Sequence, residues 1–142
     1  MLIIKPVNNI DALYLFQLEK ENYPQHYYKY RNLIQMINNP QYYFYKITRG
    51  DNIILGYFIL LKSGDDLEII KLTVAKKYHH QGYDTKMLNY IINNFQYNNI
   101  FLEVRVDNQN ALKLYYQQGF VKIREIPNYY DNVAADVLQY HQ

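Results

Sequence analysis

The run from Leu67 to Val106 constrains the chain more than any other part of it. "LEIIKLTVA" reads as a strand, and "KKYHHQGYD" reads as a tight loop. Met87, Leu88, Ile91, Ile92 and Phe95 then form one apolar stripe at helical spacing, and "NNIFLEVRV" reads as a second strand. A strand, a helix and a strand in that order require parallel pairing through a right-handed crossover.

The flanking segments complete the sheet. "LIIKPV" reads as an opening strand, and apolar spacing predicts helices over Ile10 to Glu21 and Tyr27 to Asn38, with Pro24 between them. "YYFYKIT" and "NIILGYFILL", separated by "RGD", read as an antiparallel hairpin, and "SGDD" turns the chain into the crossover unit. After it, "NQNALKLYYQQ" reads as a short helix closed by Gly119, and "FVKIREI" and "VAADVLQY" as two last strands around a turn "PNYYDN". The expected order is βααβββαβαββ: an α/β fold with a mixed, mostly antiparallel central sheet and helices on both faces.

At 142 residues and 49% hydrophobic content, one domain over residues 1–142 is expected. There is no cysteine, which excludes disulfides and thiolate chemistry. The start "MLIIKPV" lacks signal-peptide features, and the apolar run Ile53 to Leu61 is far short of the roughly 20 residues that span a bilayer. A soluble cytoplasmic protein with no membrane partner is the expectation, as a monomer or homodimer. A net charge of +2 is too mild for a general nucleic-acid binder. "QHYYKYR" interleaves tyrosines with Lys29 and Arg31, and so leaves a small RNA- or ribosome-associated module as an alternative. The 18 tyrosines read mainly as amphipathic packing residues. No metal site is expected, because His79 and His80 are adjacent and no further ligand follows at usable spacing.

The loop has chemistry of its own. A helix starting directly after a strand offers free N–H groups and the positive end of its dipole, which favour phosphate. Gly82 would let an anion approach the backbone, or would merely make the turn.

"LTVAKKYHHQGYDTKMLNYI" followed by "FLEVRVDNQNALKLYYQQGF" resembles the core of the GNAT superfamily of acetyl-CoA-dependent N-acetyltransferases. "LEVR", "N-x-x-A-x-x-L-Y" and "G-F" resemble its ribosomal-protein-alanine N-acetyltransferase branch, over roughly Leu67 to Tyr130. The resemblance implies transfer of an acetyl group from acetyl-CoA, the cosubstrate, to a primary amine: a peptide or protein N-terminus, or a small amine. A binding protein of the same fold with weakened catalysis is the alternative.

The family's pyrophosphate loop follows the pattern Arg/Gln-x-x-Gly-x-Gly/Ala. Here it corresponds to His79, His80, Gln81, Gly82, Tyr83 and Asp84, with Thr85 next. Asp84 is the main departure, since a carboxylate opposes pyrophosphate; the plain alternative is a helix-first-turn acid that points away. The resemblance also gives Leu72 and Val74 a backbone grip on the pantetheine arm at a strand bulge, and gives Asn108, otherwise a helix N-cap, a cofactor contact.

By the same resemblance Glu103 is the base and Tyr115 the acid, with Glu68 a second candidate base. On the residues alone Glu103 is better explained by a cross-strand cation, and Tyr115 could be only a helix-to-core residue. Tyr116 cannot share the direction of Tyr115, so only one of them serves. Glu19 and Tyr28 are expected at a cationic acceptor. Tyr129 and Tyr130 match the family's tyrosine pair after the last helix, while Ile126, Pro127 and Ala135 depart from the alanine-acetylating branch.

Overall fold

The computed structural model describes residues 1–50 and 52–142, with the backbone alone at Tyr130. The strands are β1 (Leu2–Pro6), β2 (Tyr42–Arg49), β3 (Ile54–Ser63), β4 (Asp66–Val74), β5 (Asn99–Arg105), β6 (Val121–Tyr130) and β7 (Val133–His141). The helices are α1 (Ala12–Asn22), α2 (Tyr30–Ile37), α3 (Tyr83–Asn94) and α4 (Gln109–Gln117). The strands form a sheet in the order β1-β2-β3-β4-β5-β7-β6. β4 and β5 pair in parallel, and the other neighbours pair antiparallel. The expected element order and mixed sheet are both present.

Each face has its core. Leu15, Leu18, Leu33 and Met36 of α1 and α2 pack on Phe44, Tyr57 and Ile59. On the opposite face Met87, Leu88 and Ile91 of α3 and Leu112, Leu114 and Tyr115 of α4 pack on Leu55, Phe58, Leu60 and Leu102. β3 lies between them, buried from Ile54 to Leu60. Its Gly56 is required by packing: a Cβ there would stand 2.4 Å from the carbonyl oxygen of Thr73.

The elements differ from expectation mainly at their ends. α1 is preceded by a single 3-10 turn, where Asn8 accepts from the N–H of Ile10 and Asp11, and Asp11 accepts from that of Asn8. α2 starts at Tyr30, because Lys29 before it is extended. The last hairpin is tighter than expected: β6 continues through "PNYY", and the turn is Asp131–Asn132 alone, both at positive φ as a two-residue hairpin needs.

Two irregularities position the site. Leu60 opposes Ile69 while Ile59 opposes Lys71, so Ile70 is an extra residue that bulges β4. β4 and β5 pair only through Leu67 with Ile100 and Glu68 with Phe101, and beyond that they diverge. The gap opens at the centre of the sheet. Among the described residues no helix is long and apolar enough to cross a membrane.

Candidate functional site

The gap continues into two cavities. One, of about 380 Å³, lies over the loop that opens α3 and reaches Tyr78, His79, His80, Gly82, Tyr83 and Asp84. The other, of about 510 Å³, lies toward the α1–α2 loop and the β6–β7 turn and reaches Lys71, Glu103, Arg105, Tyr129 and Asp131. Asn22, Tyr23, Leu72, Asn108, Ala111 and Tyr115 line both, so the two cavities meet there.

The backbone of β4 faces this junction. The N–H of Ala75 donates to Leu55 of β3. Bonded and non-bonded pairs alternate along an antiparallel ladder, so Leu72 and Val74 turn their N–H groups away from β3. On that side β5 has already diverged. The Val74 side chain is buried, and Leu72 is half-buried.

At the loop, Gly82 holds φ 82°, and no atom lies within 4 Å of the place a Cβ would take. Its glycine is therefore needed for the left-handed backbone and leaves open space above it. Nε2 of His79 lies 2.8 Å from the carbonyl oxygen of Val74, tying the loop to the end of β4. Asp84 turns back on its own helix, its Oδ1 accepting the N–H of Thr85 at 2.7 Å. Gln81 is exposed and, like Thr85, lies outside the lining of both cavities. The chemistry of this cradle fits an anionic, amide-bearing cosubstrate: strand amides turned away from β3 and a helix N-terminus.

Tyr115 is buried at the junction with its ring edge-on to Phe120, 5.4 Å between centroids, while Tyr116 is exposed. Burial raises the phenol of Tyr115 well above its ordinary range, with smaller contributions from Tyr23 and Asp84. Glu103 is exposed on β5, opposite Val137, and among the described residues no cation stands within ion-pair distance. The cross-strand cation considered for it is thus absent. Glu68 lies on the same face, and the two carboxylates share a third cavity of about 310 Å³. Burial, then the charge of Glu103, raises the carboxyl of Glu68 above its usual value. Asn108 caps α4, accepting the N–H of Ala111 at 3.2 Å.

Glu19 and Tyr28 lie elsewhere than expected. Glu19 is fully enclosed and lines neither cavity. Its carboxylate accepts the hydroxyl of Tyr57, the ammonium of Lys71 at 2.5 Å and the N–H of Tyr28 at 2.8 Å. The cation it meets is internal, a lysine of β4. The ring of Tyr28 covers that same ammonium at 4.2 Å, and the ring of Tyr23 does so at 3.9 Å. Tyr27 and Tyr30 of "QHYYKYR" stand edge-on to Phe16 and stay exposed. Tyr129 lines the second cavity; the side chain of Tyr130 lies outside the described residues.

Sequence reasoning missed Tyr23 and Lys71. The Tyr23 hydroxyl is 2.5 Å from Oγ1 of Thr73, and burial pushes its phenol up to about 12. The available signal was Lys71 itself, a charge inside the apolar strand "LEIIKLTVA".

Comparison with known proteins agrees with this geometry. Residues 8–120 match the family model described as Acetyltransferase (GNAT) family. The chain is 37% identical over 100 residues to the [ribosomal protein bS18]-alanine N-acetyltransferase of Haemophilus ducreyi, covering 67% of this chain and 68% of that protein. The fold is that of the ribosomal-protein-S18-alanine N-acetyltransferase from Escherichia coli, with TM-score 0.89 and 19% identity over 99% of this chain and 94% of that one. It is also that of spermidine N-acetyltransferase from Vibrio cholerae in complex with CoA and spermine, with TM-score 0.83 and 16% identity over 99% and 95%. The chain belongs to the GNAT acetyltransferase family, a family of acyltransferases whose cosubstrate is acetyl-CoA.

Proposed function

We propose that the chain moves the acetyl group of acetyl-CoA to the α-amine of a peptide or protein N-terminus. The observation that carries this reading is the meeting of two cavities at an open strand edge, with Tyr115 at the junction and unpaired Glu103 on the acceptor side. The pyrophosphate binds over His79, His80, Gly82 and Tyr83, with the Thr85 amide held back by Asp84, and Asn108 contacts the arm beyond it. The arm runs along β4 beside Leu72 and Val74.

Glu103, directly or through one water, takes the proton of the acceptor ammonium, and the freed nitrogen attacks the thioester carbonyl. A strand amide of Leu72 or Val74 receives the developing oxyanion. The carbon–sulfur bond then breaks, and Tyr115 gives its proton to the departing thiolate. Glu68 stands next to Glu103 as the second possible base. An α-amine, with a pKa near 8, needs much less help than a lysine amine near 10.4, which suits a carboxylate base. Tyr129 and Tyr130 clamp the first residues of the peptide.

The experiment offers matched peptides with either the α-amine or one internal lysine free and maps the product by mass. Acetyl on the α-amine, lost in the Tyr129→Ala, Tyr130→Ala double variant, is expected; acetyl confined to lysine would overturn the reading.

A second reading is a binding protein of this fold with little turnover. Asp84 favours it, since its carboxylate already occupies the Thr85 amide. Binding of acetyl-CoA without transfer to any amine would establish it.

A further inference from the structure

A lysine buried against two tyrosine rings and a carboxylate is the arrangement by which proteins commonly hold a foreign ammonium. Here Lys71 fills it. Its Nζ is 2.5 Å from Glu19, 3.9 Å from the centre of Tyr23 and 4.2 Å from that of Tyr28. The bulge at Ile70 delivers the side chain to this place. Lys71 lines the acceptor cavity, whereas Glu19 is enclosed behind it, so of the pair only the lysine borders the acceptor.

The other charged groups of that cavity leave a second cation no open anion beyond the base. Arg105 is held by Asp107 at 3.0 Å and by Asp131 at 3.6 Å, and Asp131 also meets His26 at 3.8 Å. Glu103 is reserved for the reacting amine.

We propose that Lys71 is a specificity-determining residue that excludes acceptors carrying a second positive charge close to the reacting amine, such as linear polyamines or peptides with lysine as first residue. The inference rests on the acetyl-transfer reading and narrows its acceptors to neutral N-termini. The mechanism is like-charge repulsion in a partly desolvated cleft, together with prior occupation of the aromatic cage by the protein's own ammonium.

The test compares kcat/KM for three acceptors: a neutral tripeptide amide with a free α-amine, the same peptide with lysine first, and spermidine. The wild type is expected to favour the neutral peptide by about tenfold or more at low salt, and by clearly less in 0.5 M salt. The pair is removed together, Glu19→Gln with Lys71→Met, to leave no buried charge without a partner. Within that variant the preference should fall to within about twofold, whereas Lys71→Arg should retain it. Should the double variant fail to fold, the salt dependence of the wild type and the Lys71→Arg ratio still decide. Equal use of neutral and cationic acceptors by the wild type, a preference indifferent to salt, or a preference surviving in the folded double variant would overturn the proposal alone. Acetylation of spermidine with none of the neutral peptide would overturn both it and the N-terminal reading.

Discussion

Asp84 places its carboxylate on the Thr85 amide beside the cavity over the α3 loop, where the resemblance leads one to expect a small residue. Asp84→Gly should release that amide and tighten acetyl-CoA binding about tenfold, read by calorimetry on both forms; equal affinity would mean the carboxylate does not oppose the pyrophosphate. Glu103→Gln and Tyr115→Phe change little in shape and should each lower turnover about a hundredfold or more at nearly constant cofactor affinity. Turnover that survives Glu103→Gln but collapses in Glu68→Gln would move the base to β4. Glu68 also carries a stability signature. Its folded pKa is raised, so its contribution is fully present below the unfolded value and is lost as pH rises through the folded one. Glu68→Gln should therefore raise the melting temperature at neutral pH and leave it nearly unchanged in acid. The placing of the loop before α3, of Glu103 on β5 and of Tyr115 on α4 was legible in the sequence because a motif marks those positions. Lys71 and Tyr23 were not, because their partners Glu19, Tyr28 and Thr73 converge only when α1, its following loop and β4 pack together.

Among the elements, β3 and β4 approach closely enough that only glycine fits at Gly56. Gly56→Ala pushes a methyl into the Thr73 carbonyl and the Met87 side chain and should cost about 1–3 kcal/mol in denaturant unfolding. Helix and strand identities were legible because periodicity records which face is buried. Their ends were less so: the extended Lys29 delays α2 and the paired positive φ of Asp131 and Asn132 moves a turn, both set by local backbone conformation that hydrophobic pattern does not encode.

For the whole molecule, the adjacent residues Tyr57 and Phe58 anchor opposite cores through the same strand. Phe58→Ala should destabilise by roughly 3–5 kcal/mol, and tyrosine fluorescence and far-ultraviolet circular dichroism should still report one coincident transition, because neither core has a sheet of its own. The sheet that joins them also keeps a fault at its centre. Before Ile70 the odd-numbered side chains of β4, Leu67 and Ile69, face α3; after it the even-numbered ones, Leu72 and Val74, do so, and Lys71 and Thr73 face α1 instead. One residue thus inverts the parity of the strand halfway along its length. Straightening the strand with Ile70 kept in regular pairing would send Lys71 toward the α3 core and Leu72 toward Glu19, whereas removing Ile70 would restore plain alternation and leave both on their present faces. What holds Lys71 beside Glu19 is thus the bulge itself, which takes up the extra residue and bends the strand where it parts from β5.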